Sequence, residues 1–196
     1  MAHYFTNDKV KSNEKIIDIK INNTCLLFTV DNGVFSKKGL DFGTRSLLES
    51  IDTNKIKGDI LDFGCGYGPI GIYIAKMTNE KVDMVDINER ALNLSKKNAE
   101  LNDVDVNIFQ TDIFSNIDKN YDYIITNPPI RVGKKVLYEI LFQSLHHLKE
   151  NGKLFLVINK NQGAKTLLKD LNEKYSANII NKNKGFYIIE VQNRWQ

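Results

Sequence analysis

The sequence predicts an α/β protein built on a doubly wound, mostly parallel sheet, with a small β-rich extension in front of it. Three observations predict this class. From residue 59 onward, short apolar runs alternate with segments whose apolar residues follow the helical period. A glycine-rich turn carrying Gly64, Gly66 and Gly68 joins the first of these runs to the helix-like pattern of Ile70, Ile72 and Ile74. The last two runs, 177–180 and 186–191, are linked by a polar turn around Asn183 and Gly185. That turn is too short for a crossover helix, so the two runs pair antiparallel.

Taken in order, 17–21 alternates apolar and polar residues and 25–30 is a second extended run, with Asn22-Asn23-Thr24 as the hairpin loop between them. This opening lies outside the strand–helix repeat and forms a cover or small sheet of its own. The expected organisation is one domain, with an extension over 1–40 and a core over 41–196. Thr44 is placed to cap a short helix bearing Leu47, Leu48 and Ile51. The strand 60–63 runs into the glycine turn. A second strand over 81–87 precedes a helix capped by Asn88, with Ala91, Leu94, Asn98 and Leu101 along one stripe. Strands follow over 104–109 and 121–126. A long helix then carries Val136, Leu137, Ile140, Leu141, Leu145 and Leu148 to a stop at Asn151-Gly152. A strand over 153–158 and a helix bearing Ala164, Leu167, Leu168 and Leu171 lead to the final pair.

Composition narrows the function classes. With 42% hydrophobic and 26% charged residues, 196 residues can bury the core of an ordinary globular domain. No run approaches the roughly 18 apolar residues of a membrane span, and the polar start is no signal peptide, so the cytoplasm is expected. Cys25 and Cys65 have no paired spacing, which argues against a disulfide framework and a zinc site. His146 and His147 are adjacent on a helix and share no metal face, so no metal is expected. A net charge of +3 and a pI of about 8.7 fall short of the bias that alone suggests nucleic acid. Lys37-Lys38, Arg45, Arg131, Lys134-Lys135, Lys182 and Lys184 nevertheless group locally and can ring one face.

The glycine turn supports two readings. Gly66-Tyr-Gly68-Pro-Ile-Gly71 satisfies the dinucleotide pattern, while Asp62 makes the longer stretch D-x-G-x-G-x-G. A carboxylate at the turn repels a pyrophosphate but welcomes a ligand with an ammonium and a sulfonium, which favours S-adenosylmethionine. Four predicted strand ends carry polar groups: Asp62, Asp86, Asp112 and Asn127. Asp86 stands at the distance from Gly64 at which an acid accepts ribose hydroxyls, and Asp112 is placed for the adenine amino group. In Asn127-Pro128-Pro129, the prolines stiffen the backbone and remove two donors. The Asn127 amide oxygen and the Pro128 carbonyl then form a rigid pair of acceptors for a planar amine, a matter of positioning rather than of strong base.

DFGCGYG, the acid of VDINE, QTDIF and ITNPPIR together resemble class I S-adenosylmethionine-dependent methyltransferases that methylate nitrogen. More narrowly, HYFT, VFSKKGLDFGTRSLL, NPPIRVGKK and NKNQGAK resemble the small-domain ribosomal RNA guanine-N2 methyltransferase group, over nearly the whole chain. The resemblance implies a Rossmann-like sheet of seven strands with the last one antiparallel, and methyl transfer to the exocyclic N2 of a guanine in small-subunit ribosomal RNA or the small ribosomal subunit. It implies a cofactor site of Asp62, Gly64, Cys65, Gly66, Gly68, Asp86, Ile87, Asp112, Ile113 and Asn127. Asn127, Pro128 and Pro129 carry the transfer, and Ile130, Arg131 and Lys134 meet the substrate. Ile130 stands where many relatives have an aromatic residue, which gives weaker base stacking. Methylation of adenine N6 or of a protein glutamine amide, an NAD-dependent oxidoreductase and a non-catalytic RNA-binding module are the alternatives. The oligomeric state, monomer or dimer, is not legible.

Overall fold

The computed structural model describes residues 11–32, 39–129 and 132–194. Strands β1 (Lys15–Ile21) and β2 (Thr24–Val30) pair antiparallel as a sheet of their own. Asn22, at a φ of 50°, makes the tight turn between them, a conformation that asparagine tolerates. The core follows as α1 (Phe42–Ser50), β3 (Ile60–Phe63), α2 (Pro69–Thr78), β4 (Val82–Asp86), α3 (Glu89–Leu101), β5 (Val106–Gln110), β6 (Tyr121–Thr126), α4 (Lys134–His146), β7 (Leu148–Asn159), α5 (Ala164–Leu171), β8 (Tyr175–Asn183) and β9 (Phe186–Asn193).

The seven core strands lie in the order β5-β4-β3-β6-β7-β9-β8, and β5 to β7 run parallel. The last strand, β9, inserts between β7 and β8 and is antiparallel to both. From β3 the chain winds outward to β5, then returns to place β6 on the other side of β3. This switch opens a crevice beyond the C-terminal ends of β3 and β6.

Alternation along the strands feeds two cores. Ile60, Met84, Ile125 and Val157 pack with α1 to α3, while Leu61, Val85, Ile124 and Leu156 pack with α4 and α5. Pro69 to Ala75 of α2 are all buried, most of them in the same core cluster as the inward residues of β1 and β2, and Asn22 of the hairpin turn donates to the Tyr73 hydroxyl at 3.1 Å. The predicted opening cover is therefore real, and α3 ties it down. Asn98 of α3 and Asn102, the residue that caps its C-terminus one turn on, face the backbone of β2. Asn98 accepts from the Thr29 N–H at 2.6 Å and donates to the Thr29 carbonyl at 3.0 Å. Asn102 does the same for Leu27 at 3.0 and 2.7 Å. Two side-chain amides thus act as the neighbouring strand that β2 lacks on that edge.

Asp31, just after β2, is 3% exposed and pairs with the Arg90 guanidinium at 2.6 Å. Burial works against its charge, but the Asn13 and Asn32 N–H groups, Arg90 and Ser12 outweigh it and hold the carboxyl at about 2. A depressed carboxyl stabilises the fold above its unfolded value of 3.8, and that contribution is lost as the pH falls toward 2. Asp31→Asn is expected to cost about 2 kcal/mol at pH 7. Urea unfolding at pH 7, 5 and 3 should show the gap to wild type narrowing at the lowest pH, and a constant gap would contradict it.

Several boundaries differ from the sequence reading. Asp41, not Thr44, caps α1: its carboxylate accepts from the Gly43 and Thr44 N–H groups, and Thr44 lies inside the helix. The second and third core strands start one or two residues later than the apolar runs, at Val82 and Val106. The long helix ends at His146, and Leu148, Asn151 and Gly152 belong to β7. There the register against β6 slips between Tyr121 and Tyr123. A Cβ on Gly152 would stand 2.7 Å from the Tyr121 carbonyl, so the glycine serves close backbone approach rather than a helix stop. Lys149 reaches Asp59 at 2.5 Å and Asp122 at 2.7 Å across this irregularity. Among the described residues no helix is long and apolar enough to cross a membrane. No group of three or more His, Cys, Asp and Glu side chains there could hold a metal ion.

Candidate active site

β3 delivers Asp62 and then the glycine loop at the sheet edge. Gly64 and Gly66 have φ values of 72° and 59°, where a side chain is strained, and a Cβ on either would meet nothing within 4 Å. At Gly64 and Gly66 the loop backbone therefore faces open space, as a shelf for a flat ligand requires. A Cβ on Gly68, by contrast, would stand 2.8 Å from Ile72 and 3.1 Å from Met84. Gly71 is glycine for another reason: a Cβ there would stand 2.6 Å from Met84 and 3.1 Å from Asp62 Oδ2. Because it is bare, its N–H reaches Asp62 Oδ2 at 2.8 Å. Asp62 itself is 1% exposed, and burial, with the charge of Asp86 adding to it, pushes its carboxyl up to about 8 against the Gly71 bond.

Asp86 ends β4 and turns back under the same loop. Its two oxygens accept from the Gly66 N–H and the Asn88 N–H, each at 2.9 Å, and burial still raises its pKa despite these bonds. Ile87 follows, its carbonyl taken by Gln110 at 2.8 Å. Asp112 stands exposed just beyond β5. Next to it Ile113 has a φ of 54°, a left-handed conformation that costs a β-branched residue about 1–3 kcal/mol and persists where the surroundings impose it. Cys65 turns its thiol inward to 3.7 Å from Ser95 Oγ, and burial pushes that thiol well above its usual value. It is a neutral filler of the turn rather than a nucleophile.

Among the described residues, three buried side-chain polar atoms have no hydrogen-bond partner: Asp62 Oδ1, the Tyr67 hydroxyl and Thr111 Oγ1. They belong to β3, the glycine loop and the residue after β5, so all fall at one edge of the sheet. Each such atom costs about 1–3 kcal/mol unless a partner arrives. Together with the open faces of Gly64 and Gly66, they fit a polar ligand laid along this edge.

β6 delivers Asn127 to the same edge, beside the glycine loop; Thr126 Oγ donates to the Phe63 carbonyl at 2.8 Å and pins the two strand ends together. The Asn127 amide nitrogen donates to Thr44 Oγ at 2.9 Å and approaches both Asp41 oxygens at 3.4 Å. A carboxylate tolerates only the donor end of an amide, so Asp41 decides which way Asn127 faces. Its Oδ1 accepts no hydrogen bond among the described residues and is left for another donor. Pro128 and Pro129 continue the rigid turn in trans geometry. Ile130 and Arg131 lie outside the described residues. Lys134, the first residue of α4, sets its ammonium 4.8 Å over the Tyr138 ring and 3.8 Å from Asp170.

The predicted strand-end groups thus share one edge, and Asp41, Thr44, Tyr67 and Thr111 join them unannounced. Asp41 had a local signal, an acid two and three residues before the first free N–H groups of a helix. Nothing in the sequence connects it with a residue 86 positions away.

A doubly wound seven-stranded sheet with an antiparallel β9, a D-x-G-x-G-x-G loop and acids at successive strand ends defines a Rossmann-like methyltransferase fold. The chain belongs to the methyltransferase small domain family, which it matches over residues 26–190. Membership in that family removes the oxidoreductase reading of the glycine turn. The chain is 44% identical to the uncharacterized protein YbxB of Bacillus subtilis (strain 168), covering 97% of this chain and 98% of that protein. It is 39% identical to ribosomal RNA small subunit methyltransferase C of Psychromonas ingrahamii over 74% of this chain, which spans 43% of that longer protein. In structure it resembles a T. Thermophilus 16S rRNA N2 methyltransferase in complex with AdoMet and guanosine. That likeness has a TM-score of 0.82 at 24% identity, over 92% of this chain and 51% of the other.

Proposed function

We propose that this chain transfers a methyl group from S-adenosylmethionine to the exocyclic N2 of a guanine in small-subunit ribosomal RNA. The observation that carries the proposal is the held orientation of Asn127, whose amide oxygen is kept free beside the glycine loop. Similarity to proteins named for ribosomal RNA methylation supports the substrate class.

In this reading the backbone of Gly64, Gly66 and Gly68, with Cys65 between them, would lie against the methionine end of the cofactor over Asp62. Asp86 would take the ribose hydroxyls, Asp112 the adenine amino group, and Ile87 and Ile113 the flanks of the ring. The cofactor supplies an electrophilic methyl on a sulfonium. Asn127 Oδ1 and the Pro128 carbonyl accept the two N–H groups of the target amine, drawing its lone pair out of conjugation and aiming it at that carbon. The methyl would pass to that nitrogen, leaving the cofactor as the neutral thioether, and positive charge would grow on the nitrogen. The Asp41 carboxylate behind Asn127 places a fixed negative charge near that developing cation, until the surplus proton leaves to solvent. Ile130, Arg131 and Lys134 remain the proposed contacts to the nucleotide.

Labelled S-adenosylmethionine incubated with undermethylated small ribosomal subunits, or their naked RNA, should yield N2-methylguanosine in nucleoside mass spectrometry. N6-methyladenosine, or label in protein, would redirect the assignment; no transfer to any of these would overturn it.

Asp62 adds a pH signature. With its carboxyl pushed up to about 8, it is mostly protonated at neutral pH in the free protein. A cation over the loop favours the ionised form, so binding expels a proton and affinity rises with pH from 6 to 8, by up to about tenfold per unit. Calorimetry with S-adenosylmethionine at pH 6, 7 and 8, in buffers of different ionisation heat, measures this. Asp62→Asn should flatten the dependence; a flat wild-type profile would remove Asp62 from the cofactor's electrostatics.

A further inference from the structure

The edge that carries Asn127 continues sideways into an uncompensated basic ledge. Residues 151–169 and 174–189 contain no Asp or Glu. The fold folds parts of both stretches onto the active edge: Phe186 pairs with Asn159 at the end of β7, and the Lys160 N–H donates to the Gly185 carbonyl at 2.7 Å. The β8–β9 hairpin tip and the turn after β7 therefore sit at the same end of the sheet as the end of β6. Phe42, next in sequence to the Asp41 that orients Asn127, places its ring 5.7 Å from that of Phe186. Both rings are half-buried.

Above them stand exposed cations. Lys184 holds its ammonium 4.9 Å over the Phe42 ring and Lys182 holds its own 5.0 Å over Tyr187. Among the described residues, no carboxylate pairs with Lys160, Lys182 or Lys184. The contrast with the opposite edge is direct. There Lys119 lies 2.7 Å from Asp59 and 3.2 Å from Asp83, and Lys149 is held by Asp59 and Asp122. Lys119 and Lys149 are neutralised within the fold, and Lys134 at the active edge lies 3.8 Å from Asp170, whereas Lys160, Lys182 and Lys184 are left for an outside anion.

We propose that the ledge of Phe42, Lys160, Lys182, Lys184 and Phe186 binds the single-stranded RNA that flanks the methylated nucleotide. The proposal rests on the RNA-methylation reading and adds where the substrate chain runs. Aromatic faces with lysines above them suit stacked bases and a phosphate backbone, because every base has a π-face and every linkage a charge. An acidic polypeptide would match the charge but leave Phe42 and Phe186 without flat partners. A single-stranded segment suits the site because a base whose N2 is gripped between Asn127 and Pro128 has to leave its stack, which costs least where it is already unpaired.

The test is binding of a fluorescein-labelled 12-nucleotide single-stranded RNA by anisotropy, from 50 to 300 mM salt, with polyglutamate as competitor. The variant Lys160→Ala/Lys182→Ala/Lys184→Ala is expected to bind at least tenfold more weakly at 50 mM salt. Its log–log salt slope should fall by about 2, at roughly 0.7 per lost phosphate contact. Phe42→Ala should weaken binding about tenfold with the slope unchanged, which a purely electrostatic patch would not show. Lys55→Ala/Lys57→Ala/Lys81→Ala removes the same charge near the other sheet edge and is expected to bind as wild type. Equal loss in both triple variants, wild-type binding by the ledge variant, or polyglutamate displacing RNA as well as unlabelled RNA does would overturn the ledge. Thermal melting guards against misfolding, and lysine-to-arginine replacements at the same three positions should restore affinity. RNA bound through the ledge without any methyl transfer would instead refute the proposed reaction and leave the ledge standing.

Discussion

Asn127→Ala is expected to lower methyl transfer by about two to three orders of magnitude while changing S-adenosylmethionine affinity by no more than about threefold. A positioned donor or acceptor acting on the developing charge is worth that much in a water-poor site. The rest of the cofactor shelf, from Asp62 to Asp112, is untouched by the change. The effect should be large because Asn127 is held rather than merely present: Thr44 and Asp41 occupy its amide nitrogen, and its oxygen accepts no hydrogen bond among the described residues. Asn127→Asp is not a mild variant here, since it sets a second carboxylate within about 3.4 Å of Asp41. Thr44→Val keeps shape but drops the hydroxyl, and a loss of about tenfold is expected as the amide is freed to turn. Single-turnover transfer with labelled cofactor, beside calorimetry, separates the outcomes. Lost cofactor affinity with an unchanged rate at saturation would mean that Asn127 only shapes the shelf.

Asn98→Ala should be the most damaging single change to the fold described here, at about 3–5 kcal/mol. Asn98 is fully buried and satisfies three backbone groups at once: the Thr29 N–H, the Thr29 carbonyl and the Tyr67 carbonyl. Alanine orphans all three in the buried interior, and packing does not repair the loss. In a chain of this size that shift corresponds to a fall in Tm of roughly 10 °C. Tyr67 belongs to the glycine loop, so Asn98 joins the opening hairpin to the cofactor shelf through one side chain. Cofactor affinity is therefore expected to fall with stability. Asn98→Asp keeps the acceptor for Thr29 but loses both donors and should destabilise nearly as much. Urea unfolding of the three proteins decides it, and a cost below about 1 kcal/mol would show that the hairpin has other anchors.

These two asparagines mark where sequence reading reached its limit. Asn127 was legible because two prolines follow it and a strand precedes it, a pattern contained within a few residues. Asn98 was legible only as a member of the α3 stripe with Ala91 and Leu94, and its polar role was invisible. Its partners lie 69 and 31 positions away. The helix end misread at Asn151-Gly152 has the same origin. A turn-like dipeptide looked like a stop, while close approach to Tyr121 and the grip of Lys149 on Asp59 and Asp122 carried the chain on as a strand.

By itself the sequence determined the strand–helix alternation, the glycine turn, the acids at the strand ends and the antiparallel final pair, since period, spacing and connection length are local properties of the chain. Only the tertiary structure decided which end of the Asn127 amide faces outward, which lysines lack a carboxylate, and which amides stand in for a missing strand. Those outcomes depend on desolvated contacts between residues far apart in the chain, whose sign and strength exist only once the sheet has brought them together.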